Sequence, residues 1–140
     1  MPTKDSHLAA AAHNHCVMDY LRAKLDQFPG WLVVVAFYKA VHLVEAVFAA
    51  DGAGHMHDHQ TRNRVLKTTP RYKQLWKNYS PLWQASLVAR YMEDGDGVEI
   101  PSFAEYMPPE TVENLVLKHY LHQVEQSVDK LIGRTTSLGR

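Results

Sequence analysis

The sequence predicts an all-α helical bundle, and three observations support that fold class. Apolar residues recur at helical spacing over long segments, proline and glycine separate those segments, and strand-like alternation of useful length is missing. The segment 31–50 is apolar almost all round, which is typical of the most enclosed helix of a bundle. The chain has 140 residues, 46% of them hydrophobic, enough for one domain with a true core. We expect that domain over residues 1–133 and a flexible tail over 134–140.

The first two helices are separated by the pair Pro29-Gly30. Asp5 or Ser6 can cap a first helix over 7–27, because short polar side chains accept hydrogen bonds from the free N–H groups of a first turn. The second helix is the apolar segment described above. One face of the first helix is predicted to be apolar, with Leu8, Ala12, Cys16, Tyr20 and Leu21.

The middle of the chain predicts shorter helices. Asp58 can cap a helix over 60–67. A threonine precedes Pro70 and a serine precedes Pro81, and a capping residue followed by proline favours a helix start. The two prolines therefore predict two separate helices that begin at these positions.

The last third predicts a loop and one long helix. The loop covers 94–103, with an extended piece at 98–100. The helix is predicted to begin at Pro108-Pro109 and to end at Gly133, because glycine readily adopts the left-handed conformation that closes a helix. Its inward residues are predicted to be Val112, Leu115, Val116, His119, Val124, Val128, Leu131 and Ile132.

The composition predicts a cytoplasmic protein. Cys16 is the only cysteine and is expected to be a buried structural thiol, which suits a reducing compartment. The first residues lack the basic and apolar runs of a signal peptide. Segment 31–50 is long enough to span a bilayer, but Lys39, His42 and Glu45 at its centre would be costly there. We therefore expect a buried helix and no association with a membrane.

The net charge of zero combines two opposed blocks. Residues 59–92 carry seven basic and no acidic residues, whereas residues 93–117 carry seven acidic and no basic residues. A uniformly neutral chain would argue against a nucleic-acid binder, but a local basic block does not.

The basic block interleaves cations with aromatic residues, a pattern typical of single-stranded nucleic-acid binding. Its predicted nucleic-acid-binding residues are Arg62, Arg64, Lys67, Arg71, Lys73 and Lys77. Tyr72, Trp76, Tyr79, Trp83 and Tyr91 could stack on unpaired bases. The alternative is that the aromatics fill the core and the two charge blocks pair, within one chain or between two protomers.

A second chemical hypothesis concerns the histidines. His42 and Glu45 lie about one turn apart on the central helix, and three alternating histidines follow it. If the two groups converge, the metal ligands would be His42, Glu45, His55, His57 and His59. Because the spacing matches no established metal motif, the favoured prediction is no metal and no cofactor, with a buried His42–Glu45 hydrogen bond.

The central helix resembles that of the HEPN superfamily of small helical-bundle proteins. The likeness lies in three runs: Phe37-Tyr38-Lys39-Ala40-Val41-His42-Leu43-Val44-Glu45-Ala46, His59-Gln60-Thr61-Arg62, and Ser86-Leu87-Val88-Ala89-Arg90-Tyr91. It covers residues 31–92. The resemblance implies a four- to five-helix up-and-down bundle, a homodimer, and a role in bacterial toxin–antitoxin, antiviral defence or RNA-processing systems.

Active members of that superfamily are metal-independent ribonucleases that use an arginine followed four to six residues later by histidine. Such a pair is absent here. Any catalysis would depend on His42, His59, Arg62 and Arg90. The resulting hypothesis is an RNA-associated protein. The alternatives are a non-catalytic module that dimerises or binds a protein partner, and a metal-dependent enzyme.

Overall fold

The computed structural model describes residues 2–93, 96–99 and 102–133. Within these residues the regular structure is helical apart from one isolated bridge between Glu93 and Glu99, which confirms the predicted all-α helical bundle. The helices are α1 (Lys4–Arg22), α2 (Pro29–Ala50), α3 (His59–Thr68), α4 (Lys73–Tyr91) and α5 (Phe103–Tyr106), and a 3₁₀ turn (Pro70–Tyr72) precedes α4. The last helix continues through α6 (Pro109–Thr111), a π-helical segment (Val112–Leu121) and α7 (His122–Ile132).

Helix α2 forms the centre of the bundle. It contacts α1 along its length, and it also contacts α4, α5 and the last helix. Because it meets neighbours on several sides, most of its positions are buried, as its apolar composition predicted. Its buried apolar side chains are Leu32, Val33, Ala36, Phe37, Ala40, Val41, Leu43, Val44, Ala46, Val47 and Phe48.

By length and composition alone, α2 is also apolar enough to cross a membrane. However, 72% of its most apolar window is buried inside the bundle, as expected for the core helix of a folded domain. The charged side chains of Lys39 and Glu45 lie within the bundle as well, at 0% and 1% exposure. The composition of α2 is therefore accounted for by its central position.

Helix α1 presents a different face to the core from the one predicted. Its buried residues are His7, Ala11, His15 and Met18, whereas Cys16 is exposed and Tyr20 is 72% exposed. The prediction of a buried Cys16 thiol and of an inward Tyr20 is wrong, whereas Leu8 and Leu21 of the predicted face do pack against the core, partly buried. The physical reason is that other helices offer polar partners: His42 of α2 for His7, and Lys39 of α2, itself paired with Glu125 of α7, for His15. The cap is also Thr3, whose Oγ1 accepts a hydrogen bond from the N–H of Ser6 at 3.1 Å.

The middle helices are predicted in part. Asp58 caps α3 as expected, since its Oδ1 accepts a hydrogen bond from the N–H of Thr61 at 2.7 Å. The predicted helix start at Pro81 is wrong, because α4 continues through that residue. A proline removes one hydrogen bond, to the carbonyl of Lys77 four residues earlier. Lys77 lies on the exposed side of α4, where water can solvate that carbonyl.

The last helix ends at Gly133, as predicted, with a left-handed φ of 70°. Its predicted inward face is confirmed at Val112, Val116, Val124 and Val128, which are buried. It is wrong at His119, which is exposed, and Leu115 is only half-buried, whereas Leu117 and Leu121 are buried. The π-helical i→i+5 hydrogen bonds widen the turn and shift the inward side. In the predicted 94–103 loop, Glu99 bridges to Glu93, while residues 94–95 and 100–101 lie outside the described residues, as does the tail 134–140.

Candidate functional site

A buried carboxylate of α2 connects this helix to α3 and to the segment before α3. Glu45 is 1% exposed, and its Oε2 accepts a hydrogen bond from Nε of Arg62 on α3 at 2.8 Å. Its Oε1 accepts one from the backbone N–H of Met56 at 3.0 Å. Arg62 Nη2 also donates to the Met56 carbonyl at 3.1 Å. The predicted His42–Glu45 hydrogen bond is therefore replaced by a buried ion pair with Arg62.

Histidines surround this carboxylate. His55 Nδ1 lies 3.1 Å from Glu45 Oε1, and its ring stacks on that of His7 at 5.3 Å. His7 in turn shares a hydrogen bond with His42 between their Nδ1 atoms, at 3.1 Å. The two groups that the metal hypothesis required do converge, but at His7, Glu45 and His55 rather than at the five predicted residues.

His7 is the site residue that the sequence reasoning missed. It lies 35 residues from His42 in the chain, so no local motif could connect them. The sequence did contain one indication: His7, Ala11 and His15 follow one another at intervals of four residues, which places the two histidines on one face of a helix.

Burial keeps the inner histidines neutral. Desolvation lowers the pKa of His42, and the charge of Arg62 lowers it further. Desolvation likewise lowers the pKa of His7, followed by the effect of His42. His59 has a pKa lowered by desolvation and then by Arg62 and Arg90. Neutral imidazoles can accept hydrogen bonds or bind an ion through a ring nitrogen.

The lowered histidine pKa values predict a stability that falls in mild acid. Below the ordinary pKa of 6.5 the unfolded chain takes up protons that the folded chain does not bind. The contribution of these histidines is therefore complete above that pH and is lost as the pH falls toward their folded pKa values. His42, which faces His7, Glu45, His55 and Arg62, is the residue to test.

We expect His42→Gln to flatten the dependence of unfolding free energy on pH between about 5 and 7, measured by urea denaturation in the presence of EDTA. The exposed His13 on α1 supplies the control, because His13→Gln should leave the slope unchanged. An identical slope for wild type and His42→Gln would show that His42 does not contribute.

His59, Arg62 and Arg90 lie around one aromatic cluster. Arg62 Nη1 donates to Nδ1 of His59 at 2.9 Å, and the His59 ring lies 5.1 Å from Trp83. The Arg90 guanidinium lies 5.5 Å from the Trp83 ring and donates to the hydroxyl of Tyr38 at 3.4 Å. Three of the four predicted catalytic residues thus share one region, and the fourth, His42, pairs with His7 instead.

Arg62 cannot serve as a phosphate ligand in this arrangement. It is 5% exposed, and the carboxylate of Glu45 neutralises its charge. Its burial and its ion pair with Glu45 therefore argue against its predicted place in the nucleic-acid-binding set. Arg71 is also paired with a carboxylate, since its Nε and Nη2 donate hydrogen bonds to the two carboxylate oxygens of Asp51 at 2.9 and 3.1 Å. Arg71 is exposed as well, and the exposed cations of the predicted set that make no such ion pair with a described residue are Arg64, Lys67, Lys73 and Lys77.

The aromatic residues of the basic block mostly belong to the core. Tyr79 is fully buried and Tyr72 is 4% exposed, while Trp76 and Trp83 pack against the core. The Tyr72 hydroxyl donates to Asp51 at 2.6 Å; burial and this carboxylate raise the pKa of Tyr72 to about 12. The core-filling alternative is thus confirmed for these side chains, and Tyr91 is the block's exposed aromatic residue, at 59%.

Arg62 and Arg71 of the basic block do not pair with the acidic block. Their ion pairs are with Glu45 and Asp51, which both precede the basic block. In the acidic block, Glu113 pairs with Arg22 of α1. These charges join the helices of one chain, and the exposed cations of α3 and α4 are not used in those pairs.

A second buried polar cluster lies between α2, α1 and α7. Lys39 is 0% exposed, and its Nζ donates to Oε1 of Glu125 at 3.2 Å and to Nδ1 of His15 at 2.9 Å. His15 Nε2 lies 3.3 Å from Asp19. The cluster connects α1, α2 and α7, and it explains why His15 faces inward.

No family model, curated protein or solved structure matches this chain. The resemblance to the HEPN superfamily therefore stays a prediction. It rests on the sequence runs around His42, His59 and Arg90.

Proposed function

We propose that this protein binds single-stranded RNA along the exposed sides of α3 and α4. The observation that carries the proposal is the set of exposed cations Arg64, Lys67, Lys73 and Lys77 on helices without any carboxylate, since residues 59–92 contain no acid. A phosphate backbone gains affinity by replacing its counterions with such side chains.

Four exposed positions of α4 form a stripe along one side of the helix. Lys73, Lys77, Gln84 and Tyr91 are all exposed, and their spacing keeps them near one side of a helix. The stripe extends over about 27 Å, from a rise of 1.5 Å per residue, which accommodates several nucleotides.

The end of the stripe offers a surface for base stacking. The Arg90 guanidinium lies 5.1 Å from the centroid of the exposed Tyr91 ring. Arg90 also lines a groove of about 530 Å³ together with Trp31, which is 66% exposed. Exposed aromatic and guanidinium planes stack on unpaired bases with little sequence preference.

The proposal is one of binding rather than cleavage. Metal-independent RNA cleavage needs a cation beside the developing phosphate charge, and Arg62 is neutralised by Glu45. The bacterial defence or toxin–antitoxin setting follows from the resemblance to the HEPN superfamily, as does the homodimer. Incubating single-stranded RNA with the protein, with and without EDTA, should leave the RNA intact; cleavage would restore His59 and Arg90 as candidate catalytic residues.

Affinity for single-stranded RNA should fall steeply with salt and with charge reversal. Four phosphate contacts predict about 50-fold weaker binding at 200 mM than at 50 mM salt. We expect Arg64→Glu with Lys67→Glu to weaken binding about tenfold or more and to lower the salt slope by about 1.4. Fluorescence anisotropy with a labelled unstructured RNA measures both.

The matched control reverses two exposed lysines elsewhere, Lys24→Glu with Lys118→Glu, which changes the net charge by the same amount. These variants should bind RNA nearly as well as wild type. Equal losses in both pairs would mean that only net charge matters, and undetectable binding at 50 mM salt would refute the proposal. If the wild type binds double-stranded RNA or DNA rather than single-stranded RNA, and the Arg64→Glu, Lys67→Glu variant loses that binding, the surface would be assigned to a different nucleic acid.

A further inference from the structure

Three potential metal ligands from three separate elements meet beside the Glu45–Arg62 pair. His7 belongs to α1, Glu45 to α2, and His55 to the segment before α3. One ligand atom of each lies within 4.8 Å of the other two. All three line a pocket of about 390 Å³, together with Lys4 and Gly54 among others.

The contact between His55 and Glu45 is close but not a hydrogen bond. Nδ1 of His55 lies 3.1 Å from Glu45 Oε1, yet it is a buried atom without a hydrogen-bond partner among the described residues. Buried polar nitrogens in this condition are rare and call for an explanation. In a tetrahedral site with bonds of 2.0–2.1 Å, two ligand atoms are about 3.3 Å apart, close to the separation seen here.

Neighbouring side chains hold the ligands in place. Arg62 fixes Oε2 of Glu45 and so orients the carboxylate while its other oxygen faces the histidines. His42 contacts Nδ1 of His7, which leaves Nε2 as the nitrogen available to an ion. Ligand histidines and carboxylates in metal sites are commonly held in this way through their second polar atom.

We propose that His7, Glu45 and His55 form a binding site for Zn²⁺. Two imidazoles and one carboxylate suit zinc, whereas Mg²⁺ and Ca²⁺ prefer all-oxygen sites. Three protein ligands leave the fourth zinc position open to the pocket, where it takes water. Because Arg62 already neutralises part of the charge of the Glu45 carboxylate, we expect weaker zinc binding here than at closed four-ligand sites.

The site is independent of the RNA surface, and its test contains no RNA. Untagged protein stripped with EDTA is titrated with zinc chloride by calorimetry. The expected result is one Zn²⁺ per chain, with His7→Gln and His55→Gln each weakening binding about 100-fold or more. The matched control is His57→Gln, because the His57 ring touches that of His55 at 5.0 Å but His57 is outside the ligand group.

A spectroscopic variant identifies the ligand directly and remains informative if a glutamine variant unfolds. In a Cys16→Ser background, His7→Cys with Co²⁺ should give a thiolate-to-cobalt charge-transfer band that the background protein lacks. Failure of Zn²⁺ to bind the folded wild type, or binding unaffected by both His7→Gln and His55→Gln, would overturn the proposal. Loss on His57→Gln alone would assign the zinc to the histidine segment 55–59 instead.

Discussion

Replacing Lys39 with alanine should lower the free energy of unfolding by about 3–5 kcal/mol. Lys39 is 0% exposed and Glu125 is 3% exposed, and their ion pair is 3.2 Å long. The substitution removes the ammonium group from the buried ion pair and leaves the Glu125 carboxylate inside the bundle. Breaking a buried ion pair by removing one member costs far more than the net gain from the pair itself.

The control for this prediction replaces both partners. Lys39→Met with Glu125→Leu removes the two charges together and fills similar volumes, so it should cost much less than Lys39→Ala, and about half as much at most. Urea denaturation of Lys39→Met, of Glu125→Leu and of the double variant completes the mutant cycle. Additive losses, without coupling between the two positions, would show that the charges do not depend on one another.

Arg62→Ala should be about as damaging, with a loss of about 3–5 kcal/mol. Its guanidinium bonds to Glu45, to His59 and to the Met56 carbonyl, and truncation leaves the Glu45 carboxylate buried without a counter-charge. The natural control lies two residues further along α3. Arg64 is exposed, so Arg64→Ala should change stability by less than about 0.5 kcal/mol.

Arg62→Lys distinguishes a need for the guanidinium from a need for positive charge. Lysine offers one compact ammonium group, whereas the three partners of Arg62 lie along the planar fork of a guanidinium. We expect Arg62→Lys to recover less than about half of the stability lost in Arg62→Ala. Full recovery in thermal or urea denaturation would show that charge alone is sufficient.

These two predictions also separate structure from RNA binding. Arg62 and Arg64 are close in sequence and have the same charge, but only Arg64 is exposed. We expect Arg64→Ala to weaken RNA binding without affecting stability, and Arg62→Ala to do the reverse in any fraction that stays folded. The pair is a compact test of the proposed surface on α3 and α4.

The elements that were predicted correctly depend on local chemistry. The Asp58 cap lies within three residues of the N–H that it accepts from, and Gly133 closes the last helix by its own backbone freedom. The central position of α2 follows from its continuous apolar composition. Each of these features is specified by residues that are neighbours in the chain.

The errors arise where distant residues compete with a local pattern. The apolar positions of α1 predict one inward face, but Lys39 and Glu125 draw His15 inward instead. Pro81 is a good helix start by itself, yet packing of the rest of α4 against α2 sustains one continuous helix. Neither the inward position of His15 nor the continuity of α4 can be predicted from the sequence of one helix alone.

The sequence by itself determined the fold class, most helix ends and the basic character of residues 59–92, because these depend on composition and short-range spacing. Only the tertiary structure decided which charges remain exposed. It buried Arg62 against Glu45 and paired Arg71 with Asp51, whereas Arg64 makes no such pair with any residue that the structure describes. It also brought His7 to His55 across 48 residues of chain. The reason is physical: a buried charge or imidazole needs a partner, and that partner comes from whichever helix packs against it.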